Sequence, residues 1–193
     1  MTGAAGLPGI AAMALGLLLF VALLVALRWR RGAEAGGTRD GRSMLGIAVQ
    51  ACGFKIVAGG GARMTLDPLG GPALAAAAIT AATMAAALAL FVWATATMGR
   101  NWSLVARTRS DHRLVTAGPF ARVRHPIYTA LALILIAMAV AMGHVWRLPP
   151  ALAVYALGTW LRVRIEERLL HAMFGAAYRD YAARVRRFVP GLF

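Results

Sequence analysis

Acidic residues are scarce in this chain: seven Asp and Glu stand against 21 Lys and Arg in 193 residues, a net charge of +14. Cysteine is scarcer still. Cys52 is alone, which excludes an internal disulfide, and its place inside an apolar run reads as a buried thiol. Of the four histidines, His112 and His125 share one polar segment without a cysteine or a third histidine nearby, a poor set for a metal. A phosphate loop is missing as well. Gly59-Gly60-Gly61 has no strand before it and no Lys-Ser/Thr after it, so it reads as a helix end. No stretch alternates convincingly as a strand, and no internal repeat is evident.

Apolar residues are what the chain has in excess. They make up 60% of it, and the mean hydropathy is +0.67, against roughly 45–50% apolar residues in soluble domains. The class is therefore an all-α polytopic integral membrane protein. Five apolar segments are read, Leu7–Leu27, Met44–Gly60, Pro72–Met98, Ile127–Met142 and Leu148–Trp160. A span takes about 20 apolar residues. The first and third meet that length, the second carries Gln50 and Lys55, and the last two are short. They are joined by a brief connection at His144–Arg147 and read as one helical hairpin.

The charge distribution orients these segments. Eighteen of the Lys and Arg fall in 28–43, in 99–126 and from Arg162 onward, whereas Arg63 and Arg147 hold the other side. That bias places the N-terminus outside and the C-terminus in the cytoplasm, in a multi-pass cell membrane protein. Topology and anionic membrane lipids account for the arginines, so nucleic acid is not needed as a partner. The first segment has no Lys or Arg before Arg28, the opposite of a cleavable signal, and reads as a retained helix.

Beyond the fifth apolar run a helix continues from about Arg162 to Val185. Leu169, Leu170, Met173, Phe174, Ala177 and Tyr181 give it one apolar face. Gly175 marks a kink or cap within it, and Pro190 closes the helical region. Residues 1–98 read as N-terminal membrane helices and 99–193 as a catalytic core, within a single structural domain.

Two polar features stand out against this background. The stretch from His112 to Tyr128 is dense in basic and polar groups, and Glu166-Glu167 is the only adjacent acidic pair. Two solvated acids balanced by Arg162, Arg164 and Arg168 would be unremarkable on a surface helix. The alternative is a site. Adjacent helical residues point ~100° apart, so one carboxylate can face a pocket while the other meets an arginine. A pocket carboxylate favours a cationic ligand group. Pro126 favours a helix start with open N–H groups beside it, and with Arg124 these form a cradle for an anion or carboxylate. His125 can donate or accept a hydrogen bond there, or sit as a satisfied interface histidine. Tyr128 adds an aromatic face with a polar tip. S-adenosylmethionine carries a carboxylate, an ammonium, a sulfonium and an adenine ring, and suits such a set.

The pattern His112-x-Leu114-Val115-Thr116-x-Gly118-x-Phe120-x3-Arg124-His125-Pro126-x-Tyr128, followed by Glu166-Glu167-x2-Leu170-x3-Phe174-Gly175-x2-Tyr178-x2-Tyr181-x2-Arg184-Val185-x4-Pro190, resembles the isoprenylcysteine carboxyl methyltransferase family. Related phospholipid N-methyltransferases share parts of it. The likeness covers about residues 99–190, in two blocks in the same order. Two departures stand out, Phe120 where a tyrosine is common and Ala130 where a glycine is common, and neither removes a charged group.

The resemblance implies a small membrane methyltransferase without a Rossmann domain. S-adenosylmethionine would lie at the cytoplasmic face, held by His112, Leu114, Val115, Gly118, Arg124, His125, Pro126, Tyr128, Glu166 and Glu167. The acceptor in eukaryotic members is the carboxylate of a prenylated cysteine, entering from lipid, and Arg184 matches the arginine expected to hold it. A carboxylate acceptor is already ionised at neutral pH and needs no base. An amine acceptor must lose a proton, which would give Glu167 or His125 that role. Competing readings are a phospholipid N-methyltransferase, an NADPH-dependent sterol-type reductase, disfavoured by the compact chain and paired acids, and a non-catalytic scaffold on anionic lipid.

Overall fold

A computed structural model describes residues 4–29, 42–99 and 113–191, with five α-helices among them: α1 (Leu7–Trp29), α2 (Arg42–Ala58), α3 (Gly71–Met98), α4 (Pro126–Ala141) and α5 (Leu148–Arg184). Their starts follow from proline. Pro8, Pro72, Pro126 and Pro149 each lie in a first turn, where a missing N–H costs no hydrogen bond. Gly99, at φ 51°, ends α3.

Helices α1 and α3, of 23 and 28 residues, are long and apolar enough to cross a membrane. Both turn apolar side chains outward, among them Leu15, Leu18 and Val21 on α1 and Leu74, Ile79 and Val92 on α3. Helices α2 and α4 are shorter, with 17 and 16 residues. Between the packed helices sit Met84, Ala87, Ile134 and Ala137 in one cluster and Val57, Leu135, Ala139 and Tyr155 in another.

Helix α2 packs along α5 and α3 along α4, so both halves of the chain build one core. The α2–α5 contact brings backbone close to backbone. A Cβ added to Gly158 would lie 2.7 Å from the Gln50 nitrogen, and one on Gly53 would lie 2.9 Å from the Ala151 carbonyl oxygen. Glycine there lets the two backbones nearly touch.

Three sequence expectations are corrected. The fifth apolar segment runs without a break through Arg162 and the acidic pair, so the first part of the tail helix is continuous with the hairpin arm, and the helical boundary within α5 falls at Gly175 instead. The backbone there turns to φ 51° and ψ −118°, which is the kink its position led one to expect. At ~1.5 Å per residue the stretch of α5 before that kink is roughly 40 Å long, beyond a ~30 Å hydrocarbon core. A short parallel pair also exists, β1 (Ala4–Ala5) with β2 (Arg63–Met64), too brief to carry an alternating pattern. Cys52 is exposed rather than buried, because its side of α2 turns away from α5.

The Gly59–Gly61 run is the end of α2. Arg147, in the single 3-10 turn Val145–Arg147 between α4 and α5, donates from Nη1 to the Gly59 carbonyl, and to that of Ile56 at 3.3 Å. The guanidinium thus takes up carbonyls the helix leaves open. Beside it, His144 Nδ1 lies 2.7 Å from the Val57 carbonyl oxygen, where only the protonated nitrogen can donate.

Candidate active site

The segment entering α4 is held by the chain that leaves α5. Val123 bridges Arg186 in parallel. The Arg124 N–H donates to the Arg186 carbonyl at 2.7 Å and the His125 N–H to that of Arg187 at 2.9 Å. Thr129 Oγ1 donates to the Phe188 carbonyl at 3.1 Å, and the Tyr181 hydroxyl to the Phe120 carbonyl at 2.7 Å. Residues 186–188 form a strap that fixes Arg124 and His125 just before Pro126 starts the helix.

Helix α5 delivers the acidic pair to this segment, and its 100° step separates the two carboxylates. Glu166 accepts a hydrogen bond from the Tyr128 hydroxyl, lies 3.7 Å from His125 Nδ1, and is 3.9 Å from Arg162 Nη2. Glu167 is 8% exposed and surrounded by cations. Arg187 grips it with two bonds, Nε to Oε1 at 3.1 Å and Nη2 to Oε2 at 2.8 Å, while Arg124 Nη1 lies at 3.2 Å and His125 Nε2 at 3.3 Å. Burial alone would raise the Glu167 pKa. The hydrogen bonds from His125 and Arg187 and the charge of Arg124 outweigh it, holding the group well below the ordinary carboxylate range. The Arg187 guanidinium is correspondingly shifted up by its bond to Glu167. Burial pushes the Tyr181 phenol up to about 12.

A cavity of about 430 Å³ opens between these groups and the helices, within the range of roughly 300–1,000 Å³ for small-molecule sites. One part of its wall is polar, made by Arg113, Arg124, His125, Tyr128, Arg162 and Glu166. Another is apolar, made by Phe20, Leu24, Ile47, Phe54, Phe91 and Leu131. The two characters in one cavity suit an amphiphile or two ligands meeting end to end.

Of the residues expected at the site, Leu114, Val115, Arg124, His125, Pro126, Tyr128 and Glu166 line this cavity. His112 lies outside the described residues. Two others have structural surroundings instead. Gly118, at φ 60°, packs on α3, where a Cβ would come within 2.7 Å of Thr97 Oγ1. Glu167 stands behind the wall, against Arg187 and Arg124. Arg184 lies apart from the cavity. It is exposed and donates from Nε to the Asp180 carbonyl at 3.2 Å within its own helix.

Some wall residues escaped the sequence reading. Gln50, Tyr155 and Tyr178 line the cavity, and Arg162 does more there than pair with Glu166. Gln50 left a signal, a polar side chain inside an apolar segment, which in a membrane helix marks a candidate functional position. Arg187 left none, because it is one of several arginines in the tail.

The model of the isoprenylcysteine carboxyl methyltransferase family matches residues 78–172. A protein-S-isoprenylcysteine O-methyltransferase of Tribolium castaneum is 32% identical over 100 residues, 49% of this chain and 34% of that protein. Protein-S-isoprenylcysteine O-methyltransferase B of Arabidopsis thaliana is 30% identical over 100 residues, 49% of each. The cobalt-zinc-cadmium resistance protein CzcN of Cupriavidus metallidurans is 34% identical over 99 residues, 50% of this chain and 45% of that one. In each case the match spans less than half of the relative. A solved structure of a eukaryotic intramembrane Ras methyltransferase, isoprenylcysteine carboxyl methyltransferase, is 23% identical at a TM-score of 0.49, over 77% of this chain and 52% of that one. The likeness to the isoprenylcysteine carboxyl methyltransferase family thus covers the segment 78–172, about half of the chain, which runs from α3 past the acidic pair.

Proposed function

We propose that this protein is an integral membrane methyltransferase that uses S-adenosylmethionine, with a lipidic or lipidated acceptor whose carboxylate it converts to a methyl ester. The observation that carries the proposal is Glu166 on the wall of a cavity that also presents Arg124, His125 and Tyr128. Glu166 would attract the cationic part of the cofactor. The Arg124 guanidinium would receive its carboxylate, and the apolar wall would take the lipid chain of the acceptor.

Bound there, S-adenosylmethionine supplies an electrophilic methyl group on a cationic sulfur. The acceptor carboxylate already carries its nucleophilic electron pair at neutral pH, so the protein's tasks are alignment and the exclusion of water. Alignment is worth much of a methyl-transfer barrier when the reacting atoms are held in line. The apolar wall keeps water off a nucleophile whose charge is cancelled as it reacts.

In this reading all five apolar segments lie in the cell membrane, with the N-terminus outside and the site at the cytoplasmic face beside anionic lipids. Titrating S-adenosylmethionine, and NADPH beside it, into detergent-purified protein tests the cofactor. Methyl transfer from labelled cofactor to a prenylcysteine analogue and to phosphatidylethanolamine tests the acceptor. Saturable adenosylmethionine binding with ester formation is expected. Binding of NADPH alone would make it a reductase, binding of neither would leave the scaffold, and methylation of the amine alone would make it a phospholipid methyltransferase.

A further inference from the structure

The apolar part of the cavity has an end. Measured from the polar end at Arg124, His125 and Glu166, each helix contributes one deepest wall residue: Phe20 on α1, Phe54 on α2, Phe91 on α3, Leu131 on α4 and Tyr155 on α5. The depth order follows from how the helices run. Helix α2 is antiparallel to α5, with Gly46 beside Arg162 and Gly53 beside Tyr155. Helix α1 runs with α3, Gly16 beside Met84 and Phe20 beside Phe91. Helix α4 starts at the polar end with Pro126 and packs Ala130 against Phe91.

These five side chains support one another. Phe20 meets Phe91 edge to face with ring centres 4.9 Å apart, and Phe54 meets Tyr155 in the same way at 6.0 Å. The Tyr155 hydroxyl donates to the Tyr128 carbonyl at 2.7 Å, which ties its ring to α4. Phe20, Phe54 and Leu131 pack on one cluster of Met84, Ala87, Ile134 and Ala137, so the α1–α3 and α2–α5 halves meet over α4 at this level. Beyond it the space between the helices is taken by Val57, Leu135 and Ala139, all fully buried. The cavity thus ends on a packed floor, most of it aromatic.

The floor sets a depth. Glu166 and Tyr155 lie eleven residues apart on α5, which at 1.5 Å per residue is ~16 Å. An extended chain gains about 3.5 Å for every three main-chain bonds, so a farnesyl tail reaches ~14 Å and a geranylgeranyl tail ~19 Å. The first just meets the floor. The second has no room for its last isoprene unit.

We propose that Phe20, Phe54, Phe91, Leu131 and Tyr155 form a length gauge that selects acceptors with an isoprenoid tail of about farnesyl length and rejects longer ones. The gauge rests on the lipidated acceptor of the preceding reading and names the tail it takes. Tail selection is a binding property and is measured without any cofactor.

The test uses the full-length protein in lipid nanodiscs and a series of S-geranyl, S-farnesyl and S-geranylgeranyl cysteine analogues, with concentrations taken in the bilayer so that partition cancels. Wild type is expected to bind the farnesyl compound most tightly, and the geranylgeranyl one roughly tenfold or more weakly, as for overpacking a filled core. Phe54→Ala takes one ring out of the floor and should bring geranylgeranyl level with farnesyl or ahead of it. Ala51→Leu adds bulk to the α2 wall three residues before Phe54 and should move the tightest binding to geranyl. Position 51 is exposed, so this variant leaves the packed core intact and stays informative where Phe54→Ala melts early.

Equal binding of farnesyl and geranylgeranyl by wild type overturns the proposal, because the tail then leaves the cavity sideways into lipid. An unchanged order of affinities in both variants overturns it as well. Failure of all three compounds to bind removes the lipidated acceptor and the gauge together. Failure of wild type to bind adenosylmethionine, with the tail preference present, would instead sink the methyl-transfer reading and leave the gauge standing.

Discussion

Glu166 and Glu167 are neighbours in sequence, yet they stand on opposite sides of the His125 ring, 3.7 Å from Nδ1 and 3.3 Å from Nε2. The two carboxylates thus have different duties. Glu166 faces the cavity, and Glu167 locks α5 to Arg124 and the strap.

Substitution should separate those duties. Glu166→Gln is expected to weaken adenosylmethionine binding by roughly ten- to a hundredfold, one charge-assisted bond, with little change in melting temperature. Glu167→Gln should cost about 3 kcal/mol of stability, because it leaves buried cations without their counter-charge. Calorimetric titration beside thermal melting in detergent distinguishes the two. A Glu167→Gln protein as stable as wild type would contradict the lock.

The lock also predicts a pH dependence. The folded pKa of Glu167 is held below its ordinary value of 4.5, so its contribution to stability is complete above about 4.5. It is lost progressively as the pH falls toward the folded pKa, because the unfolded chain then binds the proton more readily. Melting temperatures should drop between pH 5 and about pH 3 in wild type and drop less in Glu167→Gln. Parallel profiles for the two proteins would mean that other groups govern acid unfolding.

The arginines of the tail should differ sharply. Arg187→Ala removes the two-bond grip on Glu167 and is expected to destabilise the protein by about 1–2 kcal/mol. That is less than for a fully buried pair, because the side chain is 42% exposed and water screens it. Arg184→Ala removes only a bond within its own helix turn and should leave stability nearly unchanged. Loss of acceptor turnover in Arg184→Ala alone would restore the role its sequence position suggested.

Backbone contact between α2 and α5 can be tested directly. Gly158→Ala would place a methyl group 2.7 Å from the Gln50 nitrogen, and forcing the helices apart should cost about 1–3 kcal/mol. Denaturant midpoints provide the reading. Full stability would show that the helices tolerate a wider spacing.

Residue accessibility tests the orientation. In a Cys52→Ser background, Thr65→Cys should react with an impermeant thiol reagent added to intact cells, whereas Pro190→Cys should react only after permeabilisation. The reverse pattern would turn the protein over in the membrane and remove the site from cytosolic cofactor.

Much of the architecture was legible because apolar length and proline are local signals. The helix starts at Leu7, Leu148 and near Pro72 and Pro126 follow from them. So does the split of the acidic pair, which needs only the 100° helical step. The continuity of α5 was harder to read, because its composition changes from apolar to charged near Arg162 while the backbone does not. Arg187 and Gln50 depend on tertiary contact. Arg187 reaches Glu167 across 20 residues, and Gln50 reaches Arg162 across 112, and no pattern along the chain encodes either distance. Arg184 shows the same limit from the other side: the motif singles it out, and the helix places it on an exposed face outside the cavity lining.

The strap at 186–188 gives the site an order of assembly. Arg124 and His125 leave the ribosome about sixty residues before the carbonyls that fix their backbone. The two backbone bonds of Arg124 and His125 to this strap can therefore form only after Arg186 and Arg187 have been made.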